Sequence, residues 1–226
     1  MSTVRMLAAL LAAVALQCAA EPFSVRIGTE KIVLDTPPGF ADTVSLGSPR
    51  LQDFAEGFNT ASNRLLLFGV TDADMRRFTL GDKLEANRFV MVATPRAQEQ
   101  QRVTPEQFAD FMRDSMNAFG KTIEVKDLVK FLEKQPIGKS NLLAELRREP
   151  GVASVMQATR LAPIPGYRFY DSDKPQYLVY TTSLVLVRGK ALQLSVYSLT
   201  ETGTDLGWLR GTTQRWADEL RRLNPD

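Results

Sequence analysis

Four short spacings in the chain resemble ligand-handling chemistry. Two are acidic pairs, Asp72-Ala-Asp74 and Asp171-Ser-Asp173, which present alternate carboxylates as calcium loops do. Such a loop also needs a glycine turn and a later bidentate acid. Asp74 instead runs into Met-Arg-Arg and Asp173 into Lys-Pro, so both pairs read as solvated loops. The other two are Gly120-Lys121-Thr122 and Gly138-Lys139-Ser140, each shaped like the end of a phosphate-binding loop. A working loop needs a second glycine five residues earlier, so that its backbone N–H groups wrap the phosphates. Those positions hold Ser115 and Glu133, and both stubs read as turns, with Gly120 near a helix end.

Composition closes other routes. The chain has no histidine, so Ser-His-Asp and Cys-His catalysis lack their base. Zinc sites built on His or Cys, c-type haem and iron–sulfur ligation are likewise excluded from residues 21–226, which hold neither residue type. No S-x-x-K and no G-x-S-x-G occurs. The residues select no catalytic, cofactor-binding or metal-binding position and no cofactor, and they weigh against an enzyme. A carboxylate pair that meets only in space stays open.

The one cysteine, Cys18, lies in "ALQCAAEPF". Ahead of it Arg5 and an 11-residue apolar run, Met6 to Leu16, form the pattern of an export leader too short to span a bilayer. Cys18-Ala19-Ala20 supplies small side chains before the Ala20–Glu21 bond. Residues 1–20 are therefore expected to be a cleaved signal peptide, and residues 21–226 one mature domain, periplasmic or secreted. The rival is a lipoprotein anchored at Cys18, which Gln17 beside the cysteine disfavours. Removing the leader takes only Arg5 of 28 basic side chains, leaving 27 against 26 acidic ones. That balance predicts no nucleic-acid partner.

These residues must be positioned by a recognisable series of elements. "FSVRIGTEKIVLDTP" predicts two short strands joined at Gly28-Thr29-Glu30, stopped by Pro37-Pro38-Gly39. "PRLQDFAEGF" predicts a short helix entered at Pro49, and "RLLLFGV" and "RFVMVAT" predict buried strands. Thr104-Pro105-Glu106-Gln107 is a capping-box start. Phe108, Phe111, Met112, Met116 and Phe119 follow on one face, which reads as core packing. "VKDLVKFLEK" predicts a second amphipathic helix, with Val125, Leu128, Val129 and Leu132 inward, stopped by Pro136. Residues 140–149 predict a further helix, ended by Pro150-Gly151.

From Ala153 the period changes. "ASVMQATRLAPI" and "QYLVYTTSLVLV" predict strands, Arg188-Gly189-Lys190 a tight turn, and "ALQLSVYSL" the return. The alternation in the return strand predicts a sheet covered on one side. A helix from about Asp205 to Leu223 closes the chain, with Leu209, Trp216, Leu220 and Leu223 inward. Arg210, Arg215, Arg221 and Arg222 lie outward as a solvated face.

The "PPGF" turn, the long hairpin "YLVYTTSLVLVRGKALQLSVYS" and the terminal helix give a layout, over most of residues 23–223, that resembles the PsbP-like and DcrB-like superfamily of exported proteins. The resemblance implies an α+β fold: a single-domain α/β/α sandwich whose mostly antiparallel sheet is flanked by helices. It implies no catalytic residues. With the leader it points to a non-catalytic envelope assembly, stability or binding factor, whose partner is an envelope protein or small molecule. The alternatives are a carboxylate-dependent hydrolase of envelope polymers and a small-molecule or lipid carrier.

Overall fold

The computed structural model describes residues 21–161, 176–200 and 205–225. The expected leader with Cys18 and the Asp171-Ser-Asp173 pair lie outside the described residues. In chain order the elements are β1 (Phe23–Ile27), β2 (Glu30–Leu34), β3 (Phe40–Asp42), a 3₁₀ turn (Val44–Leu46), α1 (Pro49–Glu56), β4 (Asn63–Thr71), α2 (Asp72–Thr79), β5 (Arg88–Pro95), a second 3₁₀ turn (Arg96–Gln98), α3 (Pro105–Ala118), α4 (Leu128–Glu133), β6 (Asn141–Glu149), β7 (Val152–Leu161), β8 (Gln176–Val187), β9 (Lys190–Thr200) and α5 (Leu206–Leu223).

Seven strands form one antiparallel sheet in the order β3-β4-β5-β9-β8-β7-β6, and β1 and β2 pair as a separate hairpin. Helices flank both faces, giving the expected α+β sandwich. The register assigns the faces. Val179, Val185 and Val187 of β8 point with Leu192, Leu194 and Val196 of β9 toward α5, α4 and the β1–β2 hairpin. Leu178 with Tyr197 and Leu199 points the other way, toward α1 and α2, and Leu184 with Ala191 toward α3. Covering one side only, as the alternation in β9 predicts, is therefore corrected: Ser195, on the supposedly open face, is buried. β8 is buried on both faces as well, so that even its polar Thr181, Thr182 and Ser183 are enclosed and the strand shows no polar-out alternation.

The capping box forms as expected: Gln107 N–H donates to Thr104 Oγ1 and Gln107 Oε1 accepts from Thr104 N. Phe108, Met112 and Met116 then bury against Val155 and Leu184, as core. The helix predicted over residues 140–149 is instead strand β6. Its Leu, Ala, Glu and Arg favour a helix in isolation, but Pro150-Gly151 forms a turn, with Gly151 at φ 79°, and folds the segment onto β7. The register slips twice, between Leu142 and Ala144 and between Glu145 and Arg147. These bulges interrupt the ladder of an edge strand, where an uninterrupted one would template foreign pairing. The second amphipathic helix is shorter than expected, and only Leu132 of its inward set is fully buried.

Asp72-Ala-Asp74 is not a solvated loop but the first turn of α2. Thr71 Oγ1 accepts the Asp74 N–H at 3.1 Å and donates to Asp74 Oδ2 at 2.8 Å, while the buried Asp74 Oδ1 accepts from Glu85 N at 3.0 Å. Thr71 with an acid three residues on is itself a cap signature.

Candidate functional site

Three turns converge at one end of the sheet. The β8–β9 connection is two residues, Arg188 at φ 50° and Gly189 at φ 74°, the paired left-handed conformations that match the twist of a hairpin. Leu186 N donates to Gly151 O at 2.9 Å, which sets this hairpin beside the β6–β7 turn. Val103 N donates to Gly189 O at 2.8 Å, bringing in the strap that leads from β5 to α3. A Cβ on Gly189 would lie 2.7 Å from Arg102 Cγ, so glycine is what lets the Arg102 stem cross the turn. The last turn of α5 is fixed at the same end by Asn224. Its side chain accepts from Val33 N at 2.7 Å and donates to Val33 O and Leu220 O, both at 2.8 Å.

Between these segments lies a cleft of about 1070 Å³, whose lining includes Arg102, Arg188, Arg221 and Arg222 against the carboxylates Glu30 and Asp218. The arginines differ in how far they are engaged. Arg222 makes a two-point contact with Glu219, at 2.7 and 2.5 Å. Arg221 meets Glu149 at 3.1 Å, and Arg147 bridges Glu149 to Asp218. Arg147 hydrogen bonding holds the Glu149 carboxyl below its ordinary range, Arg222 does the same for Glu219, and the Arg147 guanidinium is pushed up by Glu149. Among the described residues, the carboxylate that Arg102 and Arg188 face is that of Glu30, at 3.7 and 4.0 Å, beyond hydrogen-bond range. Arg188 also donates to Lys31 O at 3.2 Å.

Four guanidinium groups on one cleft are able to bind an anion. The hydroxyl of Thr104 is spent on its helix cap, and among the described residues no group of three His, Cys, Asp or Glu side chains is placed to hold a metal ion. Smaller cavities lie elsewhere among the described residues. One of about 250 Å³ sits over Leu51, Leu65 and Phe68; another, about 70 Å³, is floored by Gln193, Ser195 and Tyr197.

Of the spacings singled out in sequence, the three that fall on described residues, Asp72-Ala-Asp74, Gly120-Lys121-Thr122 and Gly138-Lys139-Ser140, do not line the cleft. Gly120 follows α3 with φ 82°, and Gly138 precedes β6 with φ 79°, as turns. Arg210, Arg215, Arg221 and Arg222 are all exposed, as expected of a solvated face, and Arg221 and Arg222 also border the cleft. Arg102 and Arg188 carried no sequence signal beyond the turn at Arg188-Gly189.

Among known proteins, no family model matches the chain and no curated protein matches it. Solved structures that match include the Ran-binding protein Mog1p of Saccharomyces cerevisiae. It shares 13% identity over 90% of this chain and 94% of that one, with a TM-score of 0.38. A point mutant of Mog1 gives 14% identity over the same shares, with a TM-score of 0.39. The assignment to the PsbP-like and DcrB-like superfamily is corrected accordingly: no model of such a family matches, and the solved chains bear the name Mog1. The reading as an exported, periplasmic or secreted envelope factor, with its hydrolase and carrier alternatives, is corrected likewise: no family model or curated protein matches, and these solved chains are Mog1 proteins, one of them Ran-binding by name. Among the described residues no helix is long and apolar enough to cross a membrane, which says nothing of a β-barrel.

Proposed function

We propose that residues 21–226 act as one protein-binding domain whose docking surface is the arginine-lined cleft, and that the cleft receives an acidic segment of the partner. The observation that carries this reading is the convergence of four arginines from three separate segments on one cavity that holds two carboxylates. A planar guanidinium fork matches a carboxylate at two points, so arginine is suited to this recognition. A nucleic acid is the poorer occupant. The chain has a net charge of only +2, and the cleft lining contains no aromatic ring on which a base could stack.

The test is fluorescence anisotropy with a labelled peptide of about twelve Asp and Glu residues, beside a Gln/Asn peptide of equal length. The acidic peptide binds and weakens as salt rises, because exposed charges are screened; Arg102→Glu with Arg188→Glu removes the binding. Equal binding of the two peptides, or tighter binding of a single-stranded oligonucleotide, overturns the reading.

A further inference from the structure

We infer that Glu30 is an internal stand-in for the partner's carboxylate, occupying the two least engaged arginines until a better acceptor arrives. The inference rests on the cleft being the docking surface. Glu30 Oε1 faces Arg102 Nη1 at 3.7 Å and its Oε2 faces Arg188 Nε at 4.0 Å, one oxygen to each guanidinium. Both separations attract without bonding, since a charge-assisted contact closes to about 2.7–2.9 Å. The Glu30 side chain is only 25% exposed, whereas Arg102 is 75% and Arg188 44% exposed. All three side chains line the cleft, and the two arginines present more of their surface to it than the carboxylate does.

Neither arginine depends on Glu30 for its place. The Arg102 stem crosses Gly189, and Arg188 is tied to Lys31 O. Removing the Glu30 charge thus leaves the two forks in position and removes a repulsion toward the incoming acid. Two like charges about 4 Å apart in water oppose each other by an amount worth about fivefold in affinity. Glu30 sets how acidic a segment must be before it docks, and it disfavours segments carrying a single carboxylate.

The experiment is the same anisotropy titration with Glu30→Gln, Glu30→Asp and, as a charge-matched control outside the cleft lining, Glu124→Gln. Glu30→Gln binds the acidic peptide about fivefold more tightly, and the gain shrinks as salt rises. Glu30→Asp stays near wild type, because it keeps the charge, and Glu124→Gln does not change affinity. Adding Arg102→Gln to Glu30→Gln erases the gain. Thermal melts of each variant confirm that it folds. If wild type binds and Glu30→Gln binds equally or less tightly, the stand-in role is wrong while the cleft survives. If no variant binds the acidic peptide, the cleft reading itself fails.

Discussion

Replacing Lys190 with methionine separates the anchoring of the cleft from its charge. Lys190 opens β9 and is 2% exposed. Its ammonium donates to the carbonyl oxygens of Glu99 at 2.9 Å and Gln101 at 2.6 Å, pinning the strap that presents Arg102. The strap has two other ties: the ion pair between Arg64 and Glu99 at 2.9 Å, and the Val103 N to Gly189 O bond. Methionine keeps the apolar stem and removes the donors. Each charge-assisted bond is worth about 1.5–3 kcal/mol. Against this, the variant no longer dehydrates an ammonium, a cost of several kcal/mol in a buried site. The balance turns on the abandoned carbonyls. Gln101 is exposed and Glu99 half-buried, so water reaches them and the penalty for each falls at the low end, about 1 kcal/mol. The net loss is therefore about 2 kcal/mol, or about 4–8 °C in Tm for a domain of this size. Circular dichroism melts measure the loss, and amide exchange at Val103 shows it locally as faster opening. A Tm equal to or above wild type would refute the reasoning: the ammonium would then cost more to bury than its two bonds return.

Two further outcomes test the frame around the cleft. Asn224→Ala leaves Val33 N and O and the Leu220 carbonyl without their side-chain partner; urea unfolding should show a loss of about 2–4 kcal/mol, and an unchanged midpoint would show that water substitutes for the amide. Tyr197, stacked on Phe89 with centroids 4.5 Å apart, has its hydroxyl pushed up by burial to about 12. A tyrosine of the unfolded chain titrates near 10, so the folded state holds this proton more tightly, and its contribution is full below pH 10 and is lost as pH rises toward 12. That loss is on the order of 2–3 kcal/mol; Tyr197→Phe should lack it, and parallel stability–pH curves for the two proteins over that window would contradict the burial account.

The elements that sequence made legible are those whose local chemistry and tertiary setting agree. The Thr104 capping box, the Arg188-Gly189 turn and the long strands β8 and β9 form where their residues place them, because caps, turns and apolar runs are local causes. Residues 140–149 show the opposite case. Helix-forming residues become an edge strand once the turn at Gly151 makes β7 available, and tertiary pairing outweighs a propensity worth tenths of a kcal/mol per residue. Asp74 fails for a related reason. An acid in a polar run reads as solvated until its neighbours are known, and here the Glu85 and Ala86 backbone amides arrive from the far side of a helix to bury it.

The cleft was not legible, because none of its arginines is exceptional where it stands in the chain. Arg221 and Arg222 look like the solvated side of an amphipathic helix, and each does spend its charge on a nearby acid. What marks Arg102 and Arg188 is a deficit visible only in three dimensions. Surrounding arginines have close carboxylate partners, while these two share one glutamate too distant to bond. The deficit is built by backbone features rather than by charge: Gly189 admits the Arg102 stem, the left-handed Arg188 turns its side chain toward Lys31, and buried Lys190 holds the strap. A rigid scaffold that keeps two guanidinium groups converged and under-coordinated has already met part of the cost of ordering them for a ligand. The arrangement therefore predicts that loosening the strap weakens acidic-peptide binding even when all four arginines remain. Lys190→Met should bind less well than wild type at a temperature where both are fully folded, and equal affinity would show that preorganisation contributes nothing here.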